Sequence, residues 1–333
     1  MSKAQRHFIT AALITIAAVF ILIAVGSTVR ATGAGMGCPD WPTCFGQLIP
    51  PTHVSQLPPN YQDIYRDLGY ANTEFNALKT WTEFFNRLTG VTIGFLSMWT
   101  LWAAWRVRRE MKPVFWWSLS AFLLVGFNGW LGKVVVSSNL HPVLITTHML
   151  ASLLVVASLI LAISHAAQDS LRMSAQGAQA SRMWLIFGMI LTIVQIALGV
   201  QVRERIDIIS VGLNYAERAA WVAQVGAPLT LHILGAILLV SYNLWLGMRV
   251  VRHADNRLVQ NLAWGMMTLV ALELLLGLSL ALLGFPAFLQ PLHLMVAAMI
   301  FGVQMVLFGA AHHALKSGSR SCPADAIPPS AKL

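Results

Sequence analysis

Residues 139–152, NLHPVLITTHMLAS, hold the pattern that decides the fold. A turn carrying Pro142 opens an apolar run, and His148 stands about two turns into it. The chain repeats the arrangement: PLTLHILGA places His232 four residues after Pro228, and QPLHLMVAA places His293 two residues after Pro291. A fourth copy, TEFFNRLTG, carries Asn86 where the others carry histidine. A Gly, Ala or Ser follows each key residue at +3 or +4, on the same helical face. The spacings make this an internal duplication. Asn86 to His148 is 62 residues and His232 to His293 is 61; Asn86 to His232 is 146 and His148 to His293 is 145. Each half therefore supplies two such helices.

Composition says where these helices live. Of 333 residues, 57% are hydrophobic and 11% charged, against about 25% charged in a soluble chain. Apolar runs of about 20 residues, enough to cross a bilayer, recur at 8–29, 82–105, 114–136, 142–165, 183–203, 227–250, 258–283 and 291–313. The first run exceeds the apolar core of a signal peptide and is read as a retained span. The expectation is an all-α polytopic membrane protein, eight transmembrane helices forming two pseudo-symmetric four-helix bundles. Residues 1–167 make the first half, with a large outward loop at 30–81. A linker at 168–182 needs no fold of its own. Residues 183–316 make the second half, and 317–333 a disordered tail.

The net charge of +9 is no nucleic-acid signal, because the basic residues sit in short loops between spans. Fourteen of the 22 Lys and Arg fall on the side holding the two termini, so both termini are expected in the cytoplasm. All four marked positions then lie in the outward half of their helices.

A second series runs beside the first. Asn128, Gln195 and Glu273 each stand four residues before a glycine: Gly132, Gly199 and Gly277. Sharing a face with the glycine, each polar group marks a place where a neighbouring helix or a flat ligand approaches closely.

Intramembrane imidazoles are functional candidates by default. The repeat relates His232 and His293 by approximate two-fold symmetry, so facing helices offer two nitrogens to one metal. Tetrahedral zinc wants more ligands nearby. A haem needs only axial ligands and a groove of small residues, which Gly235, Ala236, Ala297 and Ala298 supply. The opposing reading is a pair of packing histidines bonded to carbonyls. In the first half, His148 pairs with Asn86, and asparagine is a poor haem ligand. One histidine would then bind a reactive haem there, while the second half carries an electron-transfer haem. Otherwise the first half has lost its haem and Asn86 bonds across helices.

Glu83, three residues before Asn86, sits where it can take protons or stabilise a developing cation; the plain alternative is an interfacial pair with Arg87. Arg30, Arg87, Arg203 and Arg205 stand at outer helix ends, where guanidiniums meet haem propionates or simply snorkel. Cys38 and Cys44 lie in GMGCPDWPTCFG on the oxidising side, as a structural disulfide or a catalytic or resolving pair. Trp41 and the prolines at 50–59 suggest a rigid lid.

Five stretches carry a family resemblance: RATGAGMGCPDWPTCFGQLIPP at 30–51, TWTEFFNR at 80–87, GWLGKVVVSSNLHP at 129–142 with His148, LHILGA at 231–236 and PLHLMVA at 291–297. On these the chain resembles the haem A synthase family, membrane enzymes that convert haem O to haem A for cytochrome c oxidase. The resemblance implies an oxidoreductase acting on the C8 methyl of haem O through successive hydroxylations. It implies His232 and His293 as axial ligands of a haem b cofactor, His148 as a substrate-haem ligand, Glu83 in the oxidation, and the Cys38–Cys44 pair. It further implies a multi-pass protein of the cell inner membrane, a ferredoxin-like electron donor and a link to the haem O synthase. Asn86 departs from the family's E-x-x-H-R, which questions bis-histidine ligation of the substrate. A dihaem b-type electron-transfer protein is the alternative, and it would keep four histidines. A repeat-built transporter would break its helices at mid-span, whereas these prolines stand at helix starts.

Overall fold

The computed structural model describes residues 1–318 apart from 72, 172, 214 and 215. They form α1 (Lys3–Ala31), α2 (Tyr61–Ile64), α3 (Ala77–Val107), α4 (Lys112–Ser137), α5 (Pro142–Ala166), α6 (Ala175–Gly212), α7 (Arg218–Gln224), α8 (Ala227–His253), α9 (Arg257–Leu282) and α10 (Leu289–Gly318), and no strand among the described residues. All but the short α2 and α7 are long and apolar enough to cross a membrane, eight in total. The protein is an all-α polytopic membrane protein.

Local chemistry sets the helix starts. The Ser2 hydroxyl accepts from Gln5 N at 3.1 Å while the Gln5 side chain accepts from Ser2 N, a reciprocal cap. The side chains of Asn76 and Asn256 cap α3 and α9. Proline occupies the first turn of α4, α5 and α8, where its missing N–H costs nothing.

The repeat is visible in the backbone. The α4–α5 turn takes positive φ at Asn139 and Leu140, and the α9–α10 turn takes it at Gly284 and Phe285, each 145 residues on. Leu140 N donates to Val135 O and Phe285 N to Leu280 O, both at 2.9 Å. Equivalent main-chain bonds thus close both reversals, although one uses Asn-Leu and the other Gly-Phe.

Helix packing follows the same symmetry. In the first half α1 packs on α3, α3 on α4, α4 on α5, and α5 on α1; in the second α6 packs on α8, α8 on α9, α9 on α10, and α10 on α6. The halves meet through α1, α5, α6 and α10. A single apolar cluster crosses that seam, with Val19, Ile93, Val156, Leu159, Ile196 and Phe301 among its members. Within its apolar window α10 is 61% buried and α4 only 11%, so α10 is the shared spine and α4 faces lipid.

Two boundaries differ from the sequence reading. The linker at 168–182 was expected to be structureless, yet α6 begins at Ala175. The Ser174 hydroxyl accepts from Gly177 N at 3.1 Å, and this cap lets the Ala- and Gln-rich segment join the span. At its other end α6 continues past residue 203 to Gly212. The expected disordered tail lies outside the described residues beyond Gly318.

The large loop after α1 carries its own small core. Phe45 lies edge-on to Tyr61, Tyr65, Tyr70 and Phe75, above the disulfide between Cys38 and Cys44. Burial, with Glu83 nearby, pushes the Tyr70 phenol up. It therefore stays a neutral donor, and it donates to Met36 O. The loop rests on the first half: Leu140 packs at Gly35, Asn139 at Gly69, and Lys133 lies 5.8 Å from the Trp41 ring. Gly37 crosses α3 so closely that a Cβ there would stand 2.5 Å from Lys79 O. Gly37→Ala is expected to destabilise the loop by about 1–3 kcal/mol, seen as faster proteolysis at 38–75 with the spans still helical by circular dichroism.

Candidate functional site

Three imidazoles are seated in the same way. On α6 a Cβ at Gly199 would lie 3.2 Å from His232 Cε1; on α9 one at Gly277 would lie 3.2 Å from His293 Cε1; on α4 one at Gly132 would lie 3.5 Å from His148 Cε1. In each case the residue four before the glycine, Gln195, Glu273 or Asn128, shares the helix face that the ring approaches. The cause is helical geometry. A carbonyl at position i points along the helix toward residue i+4, and a glycine there leaves it uncovered.

The polar side chains in front of these glycines add to the grip. Gln195 Nε2 lies 3.1 Å from His232 Nδ1 and donates to His232 O at 2.8 Å. Glu273 Oε1 lies 3.1 Å from His293 Nδ1. A ring that donates from Nδ1, as His293 can to Glu273 Oε1, keeps Nε2 for a metal, whereas the Gln195 amide N–H at His232 Nδ1 places that ring's proton on Nε2.

The two rings face one space, their centres 6.3 Å apart with planes at 75°. Two imidazoles on either side of one metal, with bonds of about 2 Å, place ring centres about 6 Å apart. The pair therefore fits a shared iron. Among the described residues no group of three or more His, Cys, Asp or Glu is set to hold a metal ion.

Asn86 occupies the fourth seat. A Cβ at Gly26 of α1 would stand 3.6 Å from Asn86 Oδ1, so α1 and α3 repeat the glycine contact with a carboxamide in place of a ring. Asn86 Oδ1 and Asn128 Oδ1 are both buried without a hydrogen-bond partner. The sequence reading missed Gly26, although a signal existed: G-x-x-V-R occurs at 26–30 and again at 199–203.

The outer arginines divide. Arg30 and Arg203 meet at Asp207, at 3.3 and 2.7 Å, and Arg203 also donates to Arg30 O. This cluster ties α1 to α6 across the seam, and nothing in the repeat pointed to Asp207. Arg87, a candidate for propionate contact, turns its donors to protein acceptors instead. Its Nε and Nη2 donate to Glu83 Oε1 at 3.1 and 2.5 Å, its Nη1 to Asp40 O and Thr43 O, and its Nη2 to Cys38 O. All five donors are taken, because the loop after α1 folds down over it. Glu83, buried at 3% exposure, also accepts from Cys38 N at 2.9 Å. It forms an ion pair sealed beneath the loop rather than one open to water.

The COX15-CtaA family model, described as cytochrome oxidase assembly protein, matches residues 10–305, which take in all four seats, the loop after α1 and both glycine–arginine pairs. The chain belongs to this family. Its relatives include the haem A synthase of Rhizobium meliloti (strain 1021), 26% identical over 318 residues, 86% of this chain and 84% of that one. The haem A synthase of Sinorhizobium medicae (strain WSM419) is 25% identical over 331 residues, 90% and 88% of the two chains. That of Shewanella oneidensis is 29% identical over 150 residues, 44% and 42%.

Asp207→Asn is expected to cost the family fold about 1 kcal/mol at most, because the cluster is partly solvated. Thermal melting of the purified protein at low and high salt checks it, with the difference from the parent shrinking as salt rises.

Proposed function

We propose that the protein is a haem A synthase, an oxidoreductase that converts the C8 methyl of haem O to a formyl group. The observation that carries this reading is the His232–His293 pair, 6.3 Å between ring centres, within a chain whose family model covers residues 10–305.

In this reading the second half, residues 183–316, holds a haem b between His232 and His293, and the first half, residues 1–167, holds the substrate through His148. When bound, the haem b supplies one-electron transfer. His232 and His293 would hold it, with Gln195 and Glu273 beside their rings. Arg30 and Arg203, which meet at Asp207, are the candidates for propionate contact.

The substrate methyl passes through an alcohol and a gem-diol, which loses water to leave the aldehyde. The change removes four electrons and four protons and adds one oxygen net, so it needs an external oxidant: either dioxygen reduced with the donor's electrons or an electron acceptor with water as the oxygen source. Glu83 stands under the loop that caps the first half, and a buried carboxylate there would stabilise positive charge developing at the methyl carbon or take its proton. The loop keeps bulk water from this end of the site. Asn86 leaves one axial face of the substrate without an imidazole, which oxidation at the ring edge does not need. The same absence counts against a dihaem electron carrier.

The reading places both termini in the cytoplasm of a cell with its plasma or inner membrane as host, and the loop outside. It calls for an electron donor, of ferredoxin-like kind, and for a supply of haem O from its synthase.

Pigment extraction tests the proposal: the purified protein should yield haem B together with haem O or haem A, whereas haem B alone would point to an electron carrier. Glu83→Ala should retain haem B and stop at haem O or the alcohol, with haem A lowered by about 100-fold, as for loss of a general acid–base or charge-stabilising group. Wild-type haem A output from that variant would contradict the role given to Glu83.

A further inference from the structure

The segment Cys38–Cys44 is closed into a small ring by its disulfide. Its Asp40 side chain accepts from Phe45 N at 2.6 Å, from Gly46 N at 2.8 Å and from the Thr43 hydroxyl. That turn points three carbonyls, of Cys38, Asp40 and Thr43, at one guanidinium, that of Arg87. The remaining two Arg87 bonds go to Glu83 Oε1. Cys38 closes the circuit, since its N–H goes to Glu83 Oε2 and its carbonyl to Arg87.

Each part depends on the others. Three main-chain carbonyls within seven residues converge on one point only while the ring keeps its turn. A buried guanidinium needs all its donors met, and only arginine supplies five in a fixed fork. With one oxygen of Glu83 held by Arg87 and the other by Cys38 N, the carboxylate has one orientation left. The side chains are 14% and 3% exposed, so removing either partner strands a buried charge.

We propose that the ring closed by Cys38 and Cys44 is a guanidinium receptor that orients Glu83 through Arg87, making Arg87 a positioning residue and the disulfide a switch on the carboxylate. The proposal rests on the reading of Glu83 given above. Opening the switch is ordinary exchange: a dithiol gives two electrons and two protons to the S–S bond, leaving two cysteine thiols and becoming a cyclic disulfide itself. The freed segment loses the turn, Arg87 loses three acceptors, and Glu83 loses both its partners' fixed positions.

The full-length protein, purified with its pigments, tests this through two readouts. The first is the dithiothreitol concentration that half-reduces Cys38–Cys44, read by alkylation and mass shift. Arg87→Lys keeps the charge but offers three donors in place of five, and should lower that concentration about tenfold, as expected for roughly one lost charged hydrogen bond. The second is pigment content: Arg87→Lys should retain haem B and halt at the product where Glu83→Gln halts, and the double variant should lose nothing further, as groups acting in series do. Asp40→Ala, which loosens the ring without touching the ion pair, should shift both readouts the same way, and it decides the matter if Arg87→Lys fails to fold.

An unchanged reduction midpoint in the folded variants, or losses that multiply in the double variant, would overturn the proposal. If Glu83→Gln alone makes haem A normally, the reading of Glu83 falls, while the reduction midpoint still judges whether the ring is a receptor.

Discussion

An imidazole resting on a helical glycine is the contact from which the rest follows. The missing side chain uncovers a backbone carbonyl, the ring takes up the space, and the neighbouring polar group faces Nδ1 in the second half. A histidine that donates from Nδ1, as His293 can to Glu273, presents Nε2 as a metal ligand. Two such seats, on α6/α8 and α9/α10, bring His232 and His293 to 6.3 Å between ring centres. Two more, on α1/α3 and α4/α5, hold Asn86 and His148. Duplication therefore made one kind of seat four times, and chemistry diverged at the side chain placed in it.

The halves differ most at their outer ends. The first half is covered by a loop with its own aromatic core, a disulfide ring and a sealed Glu83–Arg87 pair. The second is covered by α7, where Trp221 packs with Val202, Ile206 and Val225. Under the proposed function, a lid with a buried ion pair suits a half whose ligand is altered, and a plain apolar cover suits one whose ligand stays. The Arg30–Asp207–Arg203 cluster lies between them and fastens the halves at that level.

Much of this was legible in the sequence, because it leaves a period. The eight spans, the two halves and the three histidine seats follow from the 145-residue spacing and from prolines at helix starts. Even Gly26 could have been read from G-x-x-V-R. What was hidden depends on main-chain atoms and long-range closure. The fate of Arg87 is decided by carbonyls of residues 38, 40 and 43, which any side chain would have carried. The aromatic core of the loop joins Phe45 to Tyr61, Tyr65, Tyr70 and Phe75, an irregular spacing that no helical or strand pattern predicts. The early start of α6 turned on a serine cap inside a segment whose Ser, Gly and Gln content reads as linker.

The central claim is that a pair of imidazoles holds one haem iron in the second half and a lone imidazole holds another in the first. Low-temperature electron paramagnetic resonance of the oxidised, purified protein tests it most directly. The account predicts one bis-imidazole low-spin signal that disappears in His232→Ala and survives in His148→Ala, beside a second ferric signal lost only in His148→Ala. A bis-imidazole signal that persists without His232, or that vanishes with His148, would contradict it.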